Sequence, residues 1–116
     1  MPTTILVAED DPSILDVLAA VLEDAGYRVL RARDGAEALV RLDLDRPDLL
    51  LTDERMPRLS GSDLVAYLRA HPDIAVPVIL LTATPPAAPP PGVAVLSKPF
   101  DVARLLAAVA LRLPAP

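Results

Sequence analysis

The chain has 116 residues, 53% of them hydrophobic but only 3% aromatic, with a formal net charge of −5 at pH 7. That size suits one domain spanning residues 1–116 with an aliphatic core. An acidic chain without a basic cluster cannot hold a phosphate backbone, the lack of cysteine excludes disulfides and thiolate metal sites, and no apolar run nears the ~18 residues of a membrane span. With no charged leader ahead of an apolar stretch, the expectation is a cytoplasmic protein that binds neither nucleic acid nor membrane.

The first apolar run, TILVA (Thr4–Ala8), reads as a strand and ends in Glu9, Asp10 and Asp11. Asp11 followed by Pro12 opens a helix, because proline's missing N–H costs nothing at the first helical position. Ile14, Leu15, Leu18, Val21, Leu22 and Ala25 fall on one face of that helix, and Gly26 ends it. YRVLRA (Tyr27–Ala32) alternates as an edge strand does, and Ala36, Leu39 and Leu42 mark a second helix. DLLLT (Asp48–Thr52) is continuously apolar, as a central parallel strand should be, and delivers Asp53. A third helix, capped by Ser62 or Asp63, carries Leu64, Val65 and Leu68. VILLT (Val78–Thr82) and VAVLS (Val93–Ser97) complete five strands. A last helix begins at Asp101 and buries Val102, Leu105, Leu106, Val109 and Leu113. Strands alternating with helices predict an α/β doubly wound domain.

One connection departs from that pattern. Between Pro85 and Pro91 all but Ala87 and Ala88 are proline. Proline lacks an N–H and pushes its predecessor out of the helical region, so Thr84–Pro91 cannot be a helix. A parallel crossover needs about ten to twelve residues, which residues 83–92 just supply. As polyproline II, at ~3.1 Å per residue, they reach about 30 Å, more than a strand's roughly 17–20 Å. The tract therefore reads as a crossover inside the domain, not as a linker.

In open α/β sheets, ligands bind at the carboxyl ends of the strands. Those ends here offer Glu9, Asp10 and Asp53, the hydroxyl of Thr82 and the ammonium of Lys98. Two carboxylates ~4 Å apart repel by ~4 kcal/mol at an effective dielectric near 20, so such a cluster takes up a proton or a cation. Oxygen donors without Cys or clustered His favour a hard ion such as Mg²⁺. A carboxylate can also attack phosphorus to give an aspartyl phosphate, with Lys98 and Thr82 stabilising the phosphoryl oxygens. Lys98 is the single lysine among 11 basic residues; a compact ammonium reaches an oxyanion where a planar guanidinium is too bulky.

In order, the motifs ILVAEDDP (Ile5–Pro12), DGAEAL (Asp34–Leu39), PDLLLTDERMPRLSG (Pro47–Gly61), PVILLTA (Pro77–Ala83) and LSKPF (Leu96–Phe100) resemble the receiver domains of bacterial two-component response regulators. The resemblance implies a flavodoxin-like sheet in the order 2-1-3-4-5, here with the usual fourth helix replaced by the proline crossover. It implies that Asp53 accepts a phosphoryl group from a sensor histidine kinase or a histidine phosphotransfer protein. Asp10, Asp53 and the Arg55 backbone carbonyl would ligate Mg²⁺, with Glu9 acting through water. Thr82, Lys98 and the Ala83 backbone N–H would contact the phosphoryl oxygens, and Lys98–Pro99 falls at the family's usual cis peptide. The domain would catalyse its own phosphorylation and dephosphorylation, without external substrates, and signal by protein contact.

Val95 stands where the family carries an aromatic switch residue, so the customary relay is missing while the acceptor chemistry is complete. A pseudo-receiver, a pure interaction module with a vestigial site, is the competing reading. An aspartyl-phosphate phosphatase is set aside, because Arg55 occupies the place of its second carboxylate. Asp11 reads as a helix cap and His71 as an exposed residue without a metal role.

Overall fold

A computed structural model describes residues 2–113; the ends of the expected 1–116 domain, residues 1 and 114–116, lie outside the described residues. The elements are β1 (Thr4–Ala8), α1 (Pro12–Asp24), β2 (Arg28–Ala32), α2 (Gly35–Asp45), β3 (Leu49–Asp53), α3 (Gly61–Ala70), β4 (Val78–Thr82), β5 (Val93–Ser97) and α4 (Val102–Arg112). The strands form one sheet in the order β2-β1-β3-β4-β5, and every neighbouring pair is parallel. Parallel strands covered on both faces need side chains that are apolar in both directions, and β3 and β4 are buried at every position.

Alternation splits the core in two. Ile5, Val7, Leu49, Leu51, Ile79 and Leu81 meet Leu15, Leu18 and Leu22 of α1 and Leu105 and Val109 of α4 on one face. Leu6, Leu50, Val78, Leu80 and Val93 meet Ala38 and Leu42 of α2 and Leu64, Val65 and Leu68 of α3 on the other. Because all strands point the same way, their carboxyl ends share one rim, and strand order reverses between β1 and β3.

Several local expectations are corrected. Ile14 is 44% exposed and Val102 51% exposed, because the buried stripes run through Leu15, Leu18, Ala19 and Leu22 and through Leu105 and Val109. Leu106 and Leu113 are only partly covered, and Ala36 faces solvent while Ala38 is buried. The N-cap of α3 lies two or three residues before the expected Ser62 or Asp63: it is Ser60, whose hydroxyl accepts from the Asp63 N–H while the Asp63 carboxylate accepts from the Ser60 N–H. Asp11 caps α1 as expected, accepting from Ser13 and Ile14, and Gly26 follows it at φ 101°, a left-handed conformation natural to glycine. Asp53 belongs to β3, paired with Leu81, whereas Asp48 lies just outside and accepts from the Thr4 N–H.

No helix joins β4 to β5. The crossover is not a straight polyproline rod either: the chain bends at Ala83–Thr84 and Ala87–Ala88 and turns at Pro91–Gly92. An extended tract would overshoot a five-residue strand, so the slack is taken up in bends. Gly92, at φ 80°, completes the return, and its carbonyl accepts from the Val78 N–H.

Candidate functional site

Every residue singled out for the site comes from a strand end or the loop that follows it. The Glu9 N–H donates to Ala32 O at 3.0 Å, fixing the loop after β1 against β2. The Glu54 N–H donates to Leu81 O, and the Lys98 N–H to Thr82 O, both at 2.9 Å. These bonds extend the ladder past the strands and align Asp53, Thr82 and Lys98 across the neighbouring strands β3, β4 and β5. The Lys98–Pro99 peptide is cis.

The carboxylates of Glu9, Asp10 and Asp53 bring one oxygen each within 4.8 Å of one another. Glu9 is 2% exposed and Asp53 5%, while Asp10 is open to solvent. Lys98 Nζ donates to Asp53 Oδ1 at 2.5 Å. One oxygen of Glu9, Oε2, accepts from the Asp11 N–H at 3.2 Å; the other, Oε1, is buried without a partner. Burial pushes the Glu9 carboxyl up to about 7, helped by the Asp10 and Asp53 carboxylates and opposed by the Asp11 N–H and Lys98. A buried orphan oxygen beside two further carboxylates fits a hard divalent cation, whose charge would replace the missing proton or donor.

Arg55 and Ala83 join Asp53, Glu54, Thr82 and Lys98 around a cavity of 70 Å³ beside this cluster, room for only a few atoms. The carbonyl of Glu54 accepts from the Gly61 N–H; among the described residues no backbone N–H donates to the carbonyl of Arg55. Thr82 is buried, and its Oγ1 accepts from the Thr84 N–H at 3.1 Å and lies 3.4 Å from Thr84 Oγ1. His71 stays outside the site: its ring stacks on Tyr67 and its Nδ1 meets Tyr67 O. Val95 is half-buried and packs into the second core cluster.

Two contributors escaped the sequence reading. A Cβ on Gly61 would stand 2.7 Å from Asp53 O and 2.5 Å from Leu80 Cδ1, so the start of α3 rests directly on the Asp53 backbone. Glu54 anchors the same junction, accepting from the Ser62 N–H and hydroxyl. The pattern SGSD (Ser60–Asp63) held the signal for the first, since a small residue after a cap marks close packing.

Comparison with known proteins agrees with this architecture. The family described as response regulator receiver domain matches residues 5–110. The alkaline phosphatase synthesis transcriptional regulatory protein PhoP of Bacillus subtilis (strain 168) is 39% identical over 83 residues, covering 72% of this chain and 34% of that protein. The matched stretch is thus about a third of that relative. The chemotaxis response regulator CheY4 of Vibrio cholerae superposes with a TM-score of 0.85 at 28% identity, covering 97% of this chain and 100% of that one. The receiver domain of the sensor histidine kinase PA1611 from Pseudomonas aeruginosa PAO1, solved with a magnesium ion in its active-site cleft, gives 0.84 at 32% identity, covering 96% and 97%. By its five-stranded parallel sheet, its acidic rim and a match over nearly its whole length, the chain belongs to the response regulator receiver domains of two-component systems.

Proposed function

We propose that Asp53 accepts a phosphoryl group from the phosphohistidine of a sensor histidine kinase or histidine phosphotransfer protein, and later loses it to water. A carboxylate oxygen of Asp53 forms the new bond to phosphorus while the N–P bond of the donor breaks. The imidazole leaves with that electron pair and takes up a proton. Lys98, already on Asp53 Oδ1, moves onto a phosphoryl oxygen as negative charge shifts there, and the Thr82 hydroxyl and Ala83 N–H serve the other oxygens. Asp10, Asp53 and the Arg55 carbonyl would hold Mg²⁺, with Glu9 reaching it through water. The ion would neutralise charge between acceptor and phosphoryl group.

The observation that carries this reading is the Glu9/Asp10/Asp53 cluster with the buried, unpartnered Glu9 Oε1 and the Lys98 ammonium on the acceptor. On this reading the domain works in the cytoplasm as a switch, acts on no external substrate and itself binds no nucleic acid. Incubation with acetyl phosphate and Mg²⁺ tests it: intact-mass measurement should show one added phosphoryl group, absent without the metal and absent in Asp53→Asn. A chain that neither labels nor binds beryllofluoride with Mg²⁺ is instead the vestigial interaction module.

A further inference from the structure

The one crossover without a helix leaves a groove on the α3 face of the sheet. Two adjoining cavities, of 450 and 190 Å³, share Val65, Arg69 and Val93 in their walls. The first reaches Leu80 and Thr82 at the acceptor end; the second reaches Val78 and Ile74 at the opposite end. Together they run the length of β4, with α3 on one side and the proline crossover on the other. Five strand residues at ~3.3 Å each span ~17 Å, the length of about 11 helical residues at ~1.5 Å rise. The helices of this face, α2 and α3, have 11 and 10 residues, so the groove has the length of one more helix of this layer.

Its chemistry is mostly aliphatic, with one open charge. Val65, Ala66, Pro86 and Ala88 form the walls over Leu80 and Val93. Glu54 is engaged by Ser62. Arg69 lines both cavities, is exposed, and among the described residues makes no ion pair. The unmet demand is therefore for aliphatic side chains next to a carboxylate.

We infer that this groove docks an acidic amphipathic helix of a partner protein, about three turns long, which seats aliphatic side chains over Leu80 and Val93 and a carboxylate on Arg69. Docking itself needs no phosphorylation of Asp53, so the unmodified full chain is the right sample, and failure here is separable from failure of the acceptor chemistry.

The probe is a blocked peptide of about three helical turns with leucines at i, i+3, i+4 and i+7 and flanking glutamates, titrated into the ¹⁵N-labelled protein. Amide shifts should centre on Val65, Ala66, Arg69 and Val93, and a lysine-flanked counterpart should bind roughly tenfold more weakly. Arg69→Glu should reverse that preference, and Ala66→Trp, at an exposed helix position, should abolish the shifts without loss of folding. No shifts with either peptide at millimolar concentration, or shifts centred on α1, would overturn the inference. So would a charge preference that Arg69→Glu leaves unchanged, or concentration-dependent dimerisation that perturbs the same amides without peptide.

Discussion

Lys98 Nζ donates to Asp53 Oδ1 at 2.5 Å, across 45 residues of sequence that include the whole proline crossover. The Asp53 side chain is 8% exposed and that of Lys98 36%, so the ammonium is the near cation for a carboxylate sunk among other carboxylates. Breaking a fully buried pair costs ~3–5 kcal/mol. Half-exposure of the lysine reduces this, and we expect Lys98→Ala to lower metal-free stability by about 1–3 kcal/mol. Urea unfolding measures it, and added Mg²⁺ should restore most of the loss. A midpoint unchanged in the absence of metal would show that the ion pair carries no weight.

Glu9 sets the pH response of the metal-free protein. Its carboxyl is raised from 4.5 to about 7, chiefly by burial. The folded state therefore holds a proton that the unfolded state releases between those values, and stability falls as pH rises through that window. The contribution is complete below pH 4.5 and lost above about 7. Melting temperatures across this range should decline in the wild type and run flatter in Glu9→Gln. Mg²⁺ should bind more tightly at the upper end, since a proton on Glu9 removes negative charge that would otherwise hold the ion through its water. Identical pH profiles for the two proteins would contradict this.

Gly61 seats the start of α3 against Asp53. Its missing Cβ is what lets the helix start sit on Asp53 O and Leu80. Gly61→Ala forces the Asp53 backbone away as well as the tip of Leu80, and we expect about 1–3 kcal/mol of destabilisation together with slower labelling by acetyl phosphate. Ser60→Ala, which removes only the cap, should cost ~1 kcal/mol and leave labelling near normal. Equal labelling rates for both variants would mean that the contact with Asp53 O is incidental to the chemistry.

The rim was legible in sequence because it needs only strand ends. Once runs such as DLLLT and VILLT are recognised as buried parallel strands, Asp53 and Thr82 must emerge at one edge; the order of the strands came instead from the family resemblance. Helix faces were less legible. Ile14 and Val102 satisfy a helical period yet face solvent, because a period fixes spacing but not which aliphatic stripe the sheet selects. The groove beside the crossover was invisible, since proline content excludes a helix without saying what space its absence leaves. Gly61 was half legible: SGSD marks a small residue after a cap, but which backbone it meets is a tertiary fact.

Thr82 faces a choice that the crossover can sense. Its Oγ1 accepts from the Thr84 N–H at 3.1 Å, and Thr84 heads the proline tract. If the Thr82 hydroxyl turns to a phosphoryl oxygen on Asp53, that bond is lost. Hydrogen exchange at the Thr84 amide should therefore quicken when Asp53 carries beryllofluoride. In Thr82→Val it should be fast in both states. Unchanged protection of that amide would show that the acceptor and the crossover are not linked through Thr82, and that Val95 has no substitute on this path.

On the proposed reading, the phosphoryl donor docks over α1. Ile14 is 44% exposed and Val17 60%, and Ile14 shares a 450 Å³ depression with Glu9, Lys98, Pro99 and Phe100 at the acceptor rim. Exposed aliphatic side chains next to the reacting carboxylate suit a protein donor, whose phosphohistidine must be steered by surface contacts. A small donor needs none of them. Ile14→Arg should thus slow transfer from a phosphorylated histidine phosphotransfer protein by roughly tenfold or more, the ordinary cost of losing an interface anchor, while labelling by acetyl phosphate stays within about twofold of wild type. Parallel loss with both donors would place Ile14 in the acceptor's own support, and undiminished transfer from the protein donor would move the docking surface away from α1.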